Sequence, residues 1–410
     1  MQTALITDLT YVAAPAAPAT VVPTLAPTVI GSAWGRARAA GRFLLADGQL
    51  LWRFMGSLAR LRQATTRIED LKRAYYGPLR VRKVARVAGR LYREYQTPGW
   101  PSLAYETCVA TTVNRLVPFR PDTDTLNAVY LAITKKCPLA CEHCFEWDAL
   151  NQKEVLTRQN LHEMVARFQD LRVTQIFFSG GEPMLRVADM VAVVRAARPG
   201  TDFWVITSGF NFTRANAAQL RQAGFTGVTI SLDHHEEARH NAFRGSPLAF
   251  ANAVQAAEFA HAAGLVVTLS LCATQEFTTE ANLWHYARLA RQLGVTFIQI
   301  LEPRAVGHYA GRAVDLSAAQ TALLEDFYVR LNFGPDFRDW PLVHYYGYHQ
   351  RRMGCSGAAD RFLYVDTDGD LHACPFCQKK SGSACGSAAL DQALSTLQSG
   401  GCQHFAQATM

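Results

Sequence analysis

Short apolar runs alternate with amphipathic segments through the middle of the chain. The amphipathic segments carry apolar residues every three or four positions, as in 157–171, where Thr157 is the predicted N-cap. Strands that alternate with helices in this way form parallel sheets. The pattern therefore predicts an α/β fold in which six strand–helix units build a partial (β/α)6 barrel of the TIM type. The predicted strands are 128–133, 175–178, 203–206, 227–232, 266–271 and 296–301.

The N-terminal part of the chain follows another pattern. Four prolines among alanines, threonines and valines predict a disordered tail over 1–30. Residues 31–121 carry apolar side chains at helical spacing between arginines, and we expect them to form a helical extension. Its apolar positions include Leu44, Leu45, Leu51, Trp52, Phe54, Met55, Leu58 and Leu61.

Positive charge is concentrated in this extension. The whole chain has a formal net charge of +7, while residues 36–94 alone hold fifteen Lys and Arg against four Asp and Glu. A basic amphipathic segment can lie on an anionic membrane surface, grip an acidic leader peptide, or pack on the barrel with its arginines in solvent. These three interpretations stay open. No recognisable nucleic-acid-binding motif accompanies the charge, so a nucleic-acid partner is not expected.

Length and composition limit the class of protein. The chain has 410 residues, is 49% hydrophobic and 18% charged, and contains ten cysteines. No apolar run reaches the ~18 residues of a membrane-spanning helix, and the N-terminus lacks the features of a signal peptide. Cysteines without an export signal indicate a reducing compartment and metal ligation rather than disulfides. We therefore expect a cytoplasmic protein, with peripheral membrane association through 36–94 left open.

Three cysteines form the most specific motif of the chain. Cys137, Cys141 and Cys144 follow the first predicted strand at the spacing C-x3-C-x2-C. Three thiolates on one short loop can hold three corners of a [4Fe–4S] cluster, which leaves one iron open to another ligand. Zinc sites more often bring their cysteines as C-x2-C pairs. The spacing therefore favours an iron–sulfur cluster over zinc.

A second motif, Gly180-Gly181-Glu182-Pro183, follows the next predicted strand. Together the two motifs resemble the radical S-adenosylmethionine (radical SAM) superfamily, over about residues 125–310. The resemblance implies that SAM chelates the open iron. An electron from the cluster then cleaves the sulfonium, and a 5′-deoxyadenosyl radical abstracts hydrogen from a substrate.

The resemblance also implies which residues contact SAM, all of them on loops at the carboxyl ends of strands, where barrel enzymes carry their sites. The glycine turn would hold SAM, with Glu182 on its ammonium group. Serines at such ends are also common turn or N-cap residues, so the ribose contacts are the less specific part of the pattern. His234-His235 replaces the Gly-Pro that relatives carry after Asp233, which leaves the shape of that loop open. The predicted cofactor-binding residues are Gly180, Gly181, Glu182, Pro183, His143, Ser208, Ser231 and Asp233.

Five more cysteines lie near the C-terminus: Cys355, Cys374, Cys377, Cys385 and Cys402. The turn at Asp368-Gly369 between two β-like runs predicts a hairpin that folds Cys355 back towards Cys374. This arrangement is similar to the SPASM and twitch extensions of radical SAM maturases, which implies a second, auxiliary [4Fe–4S] cluster. Cys355, Cys374 and Cys377 are the predicted ligands, with Cys385 or Cys402 as the fourth. A four-cysteine zinc site is the alternative.

These patterns predict five segments and one leading function. The segments are a tail (1–30), a basic helical extension (31–121), a radical SAM partial barrel (122–310), a connector (311–353) and a SPASM/twitch-like domain (354–410). The resemblance implies a radical SAM enzyme that modifies a bulky substrate, with a peptide or protein favoured and a lipid or small molecule as the alternative. It would need an electron donor such as flavodoxin or ferredoxin. A non-catalytic iron–sulfur carrier or zinc protein is the hypothesis of another class. No residue is singled out as a catalytic acid or base.

Overall fold

The computed structural model describes residues 19–79, 83–121, 126–385 and 387–400. The strands of this part are β1 (Ala85–Val87), β2 (Arg90–Tyr92), β3 (Ala128–Ala132), β4 (Gln175–Ser179), β5 (Asp202–Thr207), β6 (Phe225–Ser231), β7 (Val266–Cys272), β8 (Phe297–Leu301), β9 (Leu342–Tyr345), β10 (Phe362–Val365) and β11 (Leu371–His372). Its α-helices are α1 (Ala33–Met55), α2 (Leu58–Tyr76), α3 (Leu103–Leu116), α4 (Arg158–Asp170), α5 (Val187–Ala196), α6 (Arg214–Ala223), α7 (Glu237–Arg244), α8 (Ala249–Ala262), α9 (Glu280–Gln292), α10 (Ala318–Phe333), α11 (Tyr346–Met353) and α12 (Ser387–Gly400).

One nine-stranded sheet organises the chain, in the order β11-β10-β3-β4-β5-β6-β7-β8-β9. All neighbours from β10 to β9 are parallel, and only β11 is antiparallel to its partner. The six predicted strands are β3 to β8, so the predicted α/β fold is confirmed. Two further parallel strands flank them: β10, which is the first strand of the predicted C-terminal hairpin, and β9, which lies in the predicted connector and was not predicted as a strand.

The sheet curves around a side chain from the N-terminal extension. The ring of Tyr95 lies 5.4–5.8 Å, between ring centroids, from aromatic rings on β4, β5, β8 and β9. Its hydroxyl is 2.7 Å from Oγ1 of Thr229 on β6. Five strands can reach one side chain only if their shared face is concave. Tyr95 therefore fills the inside of the curved sheet.

Helices cover the outer, convex face of the sheet. Buried apolar residues of α4, α5, α6, α8, α9 and α10 join those of the strands in one large core. Helix α4 begins where the sequence predicted, because the side chain of Thr157 accepts a hydrogen bond from the backbone N–H of Asn160 in a capping box. The predicted hairpin is also present: β10 and β11 pair antiparallel, with Gly369 at φ +87° in the turn between them.

The N-terminal extension is helical in α1, α2 and α3, and the hairpin β1–β2 with Tyr95 lies between α2 and α3. Helix α1 ends at Gly56, whose φ of +65° lets the chain turn back into α2. Among the described helices, none is both long and apolar enough to cross a membrane.

Part of the predicted tail makes defined contacts. Residues 1–18 lie outside the described part of the chain, but 19–30 run along the barrel. The backbone N–H of Leu25 donates to the carbonyl of Gln292, and that of Ile30 donates to the carbonyl of Val84, both over 2.8 Å. The prediction of a disordered tail thus fails for residues 19–30, because their apolar residues and backbone groups find partners far along the chain.

Candidate functional site

A cavity of about 280 Å³ opens at the carboxyl ends of the parallel strands. It is lined by both predicted sets of cysteines: Cys137, Cys141 and Cys144, and Cys355, Cys374 and Cys377. Residues at or just beyond the ends of β4, β5, β6, β7 and β8 complete the wall, as barrel enzymes require. The structure therefore brings together two cysteine sets that are more than 200 residues apart in sequence.

The first cysteine loop follows β3 and is held by neighbouring loops. The side-chain oxygen of Asn151 accepts from the N–H of Cys137, and its amide donates back to the carbonyl of Cys137, both over 3.1 Å. Burial, together with the neighbouring cysteines, raises the pKa of the Cys137 and Cys144 thiols to about 12. Thiols gathered in this way resist losing their protons unless a metal supplies positive charge. The donor set therefore fits an iron–sulfur cluster.

The glycine turn after β4 packs directly against the cysteine loop. A side-chain Cβ on Gly181 would lie 2.3 Å from the carbonyl oxygen of Lys136, and one on Gly180 would lie 2.6 Å from that of Thr134. Gly180 also has a φ of +120°, which disfavours any other residue. Only glycine allows the two loops to approach this closely. Pro183 then begins the short 3-10 turn Pro183–Arg186.

Glu182 holds two strand-end turns together. Its carboxylate accepts from the hydroxyl of Thr207 (2.7 Å), from the N–H and hydroxyl of Ser208 (2.9 and 2.5 Å) and from the N–H of Met184 (3.0 Å). Burial raises the pKa of Glu182, while these donors lower it. With 1% of the residue exposed, its carboxylate is occupied inside the protein. Its predicted contact with the SAM ammonium group stays a prediction.

The remaining predicted SAM contacts line the cavity: His143, Ser208, Ser231 and Asp233. The half-buried ring of His143 stacks on Phe243 with ring centroids 4.8 Å apart, and loss of hydration lowers its pKa to about 4, so this ring is neutral near pH 7. The carboxylate of Asp233 is already engaged, by Nε of Arg244 at 2.6 Å and the N–H of Cys272 at 3.0 Å. Whether Asp233 also reaches the ribose stays a prediction.

The second cysteine set lines the same cavity. Sγ of Cys374 and Sγ of Cys377 are 3.4 Å apart, and the thiol of Cys355 accepts from the amide of Gln350 and the N–H of Gly357, each over 3.4 Å. Cys374 and Cys377 are close enough to ligate one cluster, and Cys355 lines the same cavity, so the three residues fit the ligand set of an iron–sulfur cluster.

The predicted fourth ligand of this set is not decided by the structure. The thiol of Cys385 packs beside Gly369, and its backbone N–H donates to the hydroxyl of Ser383 over 3.1 Å. Cys385 is not among the cavity-lining residues of the described chain, and Cys402 lies outside that part. Both residues stay predictions.

Buried polar contacts connect the two cysteine sets. The hydroxyl of Tyr364 donates to the carboxylate of Glu146, two residues after Cys144, and both side chains line the cavity. Nζ of Lys135 lies 2.6 Å from the carboxylate of Asp368 in the C-terminal hairpin. Neither pair could be predicted from the sequence, because the partners are more than 200 residues apart.

The loop after β8 clamps the first cysteine loop from the other side. Nδ1 of His308 lies 2.9 Å from the carbonyl oxygen of Cys141, and its backbone N–H donates to the carbonyl of Cys144 over 2.9 Å. The ring of His308 stacks on that of Trp147 with centroids 3.8 Å apart. Neither residue belongs to a recognisable motif, so sequence reasoning missed both.

Residues 131–290 match the family model of the radical SAM superfamily. They form a radical SAM domain. The predicted radical SAM domain and its cofactors, a [4Fe–4S] cluster and SAM, are thereby confirmed over these residues. The match covers both motifs, from just before Cys137 to beyond the glycine turn.

Curated relatives extend the similarity beyond the radical SAM domain. An AdoMet-dependent heme synthase of Oleidesulfovibrio alaskensis is 31% identical over 219 residues, which is 52% of this chain and 53% of the relative. The mycofactocin maturase MftC of Mycobacterium ulcerans is 28% identical over 286 residues, 65% of this chain and 73% of the relative. The chain thus spans about half the length of the heme synthase.

A solved structure supports the fold. Streptococcus suis SuiB, crystallised with its precursor peptide SuiA, matches with a TM-score of 0.53 at 12% identity, over 65% of this chain and 64% of SuiB. At this level of identity, the similarity concerns the fold alone.

Proposed function

We propose that this protein is a radical SAM enzyme that removes a hydrogen atom from a bulky substrate, a peptide or a protein. One observation carries the proposal: two sets of three cysteines and a glycine turn line the same cavity at the carboxyl ends of the strands. When bound, the cluster and SAM supply a one-electron cleavage of the sulfonium that gives methionine and a 5′-deoxyadenosyl radical.

The chain's own residues would ligate the cluster, position the substrate and exclude water from the cavity. Cys137, Cys141 and Cys144 would hold the SAM-binding cluster, and the bare backbone of Gly180 and Gly181 leaves room beside it. Much of the remaining wall is apolar or aromatic, which excludes water from a reactive radical and fixes the substrate near it. The apolar and aromatic wall includes Tyr130, Ile206, Ile300, Tyr346, Phe362 and Phe376.

Cys355, Cys374 and Cys377 would hold an auxiliary [4Fe–4S] cluster, with Cys385 or Cys402 as the fourth ligand. Such a cluster, facing the same cavity, could take up the electron of a substrate radical or bind the substrate. The chemistry of four thiolates also suits zinc, which would remove the electron-accepting role.

A peptide or protein substrate is supported by the names of the relatives. One curated relative is a mycofactocin maturase, and SuiB was crystallised with a precursor peptide. The heme synthase relative leaves a small molecule as the alternative. We also propose a flavodoxin or ferredoxin as electron donor, because the cluster must be reduced by one electron before it can cleave SAM.

The direct test is formation of 5′-deoxyadenosine from SAM under anaerobic reduction. We expect the reconstituted wild type to form it and the Cys137→Ala/Cys141→Ala/Cys144→Ala variant to form none. Cys108→Ala is the matched control, because Cys108 is a buried cysteine of α3 outside both sets. A wild type that carries iron but leaves SAM intact would contradict the proposal and favour a non-catalytic iron–sulfur carrier.

We propose in addition that α1 docks on an anionic membrane surface. The helix exposes a row of large apolar side chains, with Trp34 71%, Leu45 71% and Trp52 52% exposed, and Leu44 lies beside them at 75%. These residues lie within one arc of a helix with 100° per residue. Tryptophans and leucines on one helix face are typical of helices that lie in the membrane interface.

Arginines beside the apolar row of α1 favour an anionic membrane as the surface that this helix contacts. The exposed Arg38 and Arg42 follow the row along one edge, and Arg53 lies at its end beside Glu106. Arginines beside an apolar row place positive charge at the level of lipid phosphates while the row enters the lipid.

Sedimentation with vesicles tests this surface. We expect binding to vesicles that contain phosphatidylglycerol, weaker binding to pure phosphatidylcholine, and weakening by salt. Trp34→Ser/Trp52→Ser should lose most of the binding, while Leu248→Ser, at an exposed leucine elsewhere, should keep it. Equal binding to charged and neutral vesicles, or unchanged binding by the double variant, would contradict the proposal. It would also be contradicted if the wild type were a dimer and the double variant a monomer.

A further inference from the structure

Arg244, the last residue of α7, is a buried cation between two parts of the site. Arg244 is 8% exposed. Its Nε donates to the carboxylate of Asp233 over 2.6 Å, and its NH1 lies 3.7 Å from Sγ of Cys141. The same residue's backbone carbonyl accepts from the N–H of Ala140 over 3.3 Å. One arginine thus contacts a cysteine of the first set by side chain and its loop by backbone.

We propose that Arg244 sets the reduction potential of the cluster held by Cys137, Cys141 and Cys144, with Asp233 opposing it. This role rests on the proposed ligation of a cluster by these cysteines. Arg244 would then tune how readily the cluster takes up the electron that cleaves SAM.

The physical argument has two parts. Reduction adds negative charge to the cluster, and hydrogen bonds to its sulfurs together with nearby positive charge stabilise the reduced form. The NH1 group of Arg244 offers such a bond to Cys141. Because the guanidinium is buried, water screens its charge poorly, so its effect on the cluster is larger than that of a surface arginine.

Two neighbouring features act in the other direction. Helix α7 ends at the cysteine loop, so the negative end of its dipole faces the cluster site. The buried carboxylate of Asp233 adds a full negative charge beside Arg244. Removing Arg244 would leave both unopposed, whereas removing the charge of Asp233 would leave the guanidinium unopposed. The two changes should therefore shift the potential in opposite directions.

The test is a redox titration of the full-length, reconstituted protein followed by electron paramagnetic resonance. The signal that changes on addition of SAM identifies the cluster of the first set. Arg244→Gln should make reduction at least about tenfold less favourable, which is a fall of about 59 mV for a one-electron couple. Asp233→Asn should raise the midpoint potential, and Arg244→Lys, which keeps a positive charge, should restore part of the loss.

Arg239→Gln is the matched control, because Arg239 lies on the same helix but is exposed and pairs with Glu236 and Glu276. Its potential should equal that of the wild type. If Arg244→Gln fails to hold iron, the other two variants provide the test: Arg244→Lys should show a smaller fall in midpoint potential, and Asp233→Asn should show a rise. An unchanged potential in loaded Arg244→Gln, or a fall in Asp233→Asn, would overturn the tuning role alone. A wild type with iron but no SAM-responsive signal would overturn the proposed function as well.

Discussion

The hydroxyl of Tyr95 lies 2.7 Å from Oγ1 of Thr229, deep inside the curved sheet. This contact joins the N-terminal extension to β6, the strand that ends at Ser231 beside the cavity. The segment that follows the β1–β2 hairpin is therefore part of the barrel core. The first helix of the extension, in contrast, exposes apolar residues on the outside of the molecule.

Replacing Tyr95 should lower the free energy of unfolding strongly. Tyr95→Ala removes a ring that is 1% exposed and should cost about 3–5 kcal/mol, as other buried aromatic truncations do. Tyr95→Phe keeps the ring and should cost about 1–3 kcal/mol, because it removes the hydrogen-bond partner of the buried Thr229 hydroxyl. Urea unfolding of the reconstituted protein measures both. Trp34→Ala, at an exposed ring of α1, is the control at about 0.5 kcal/mol or less. Equal costs for Tyr95→Ala and Trp34→Ala would show that Tyr95 is not a core residue.

Adding one methyl group at the glycine turn should damage the site. Gly181→Ala would place its Cβ against the carbonyl of Lys136, so the turn or the cysteine loop must move. We expect at least about a tenfold loss of 5′-deoxyadenosine formation, since misplacement by an ångström can cost this much or more. Gly48→Ala on α1, where nothing lies within 4 Å, should leave the rate unchanged. Wild-type rates for Gly181→Ala would mean that the two loops do not meet as described.

Stability should fall in mild acid because His240 is buried as a neutral ring. Burial lowers its pKa to about 3, and its Nδ1 accepts from the N–H of Asp233 over 3.0 Å. A histidine whose folded pKa lies below its unfolded pKa of ~6.5 stabilises fully above that value and loses stability as the pH falls through it. Between pH 7.5 and 5.5 this group should cost about 1.4 kcal/mol.

His240→Asn, which keeps an acceptor near Nδ1, removes this titration. Unfolding measured at both pH values should therefore show a smaller loss on acidification in the variant, by about 1.4 kcal/mol. The same loss in both proteins would contradict the assignment of His240 as a buried neutral ring.

The sequence revealed the parts of the site whose chemistry is local. Three cysteines within eight residues and two glycines after a strand are recognisable by spacing alone, and the structure places both motifs on the cavity wall. Arg244 and His308 reach Cys141 from 103 and 167 residues away, and nothing in their own neighbourhoods marks them. Long-range partners of this kind follow from the fold, which a single sequence does not specify at that precision.

Helix α1 shows a different limit. Its helical period was predicted correctly, but apolar residues occupy more than one side of it, so the period does not tell which side faces the protein. The structure buries Ala39, Phe43 and Leu50 and exposes Trp34 and Trp52. Leu44 and Leu45 are exposed as well, while Leu51 and Met55 are buried, so the apolar positions of this helix do not all face the protein.

The central claim is that two cysteine sets hold two clusters around one cavity. Iron and acid-labile sulfide per chain after anaerobic reconstitution test it most directly. About eight irons and eight sulfides are predicted for the wild type, falling to about four of each in Cys137→Ala/Cys141→Ala/Cys144→Ala and in Cys355→Ala/Cys374→Ala/Cys377→Ala. A wild type with about four irons, all lost with the first set, and zinc that is lost only with the second set would contradict the claim and make the C-terminal site a zinc site.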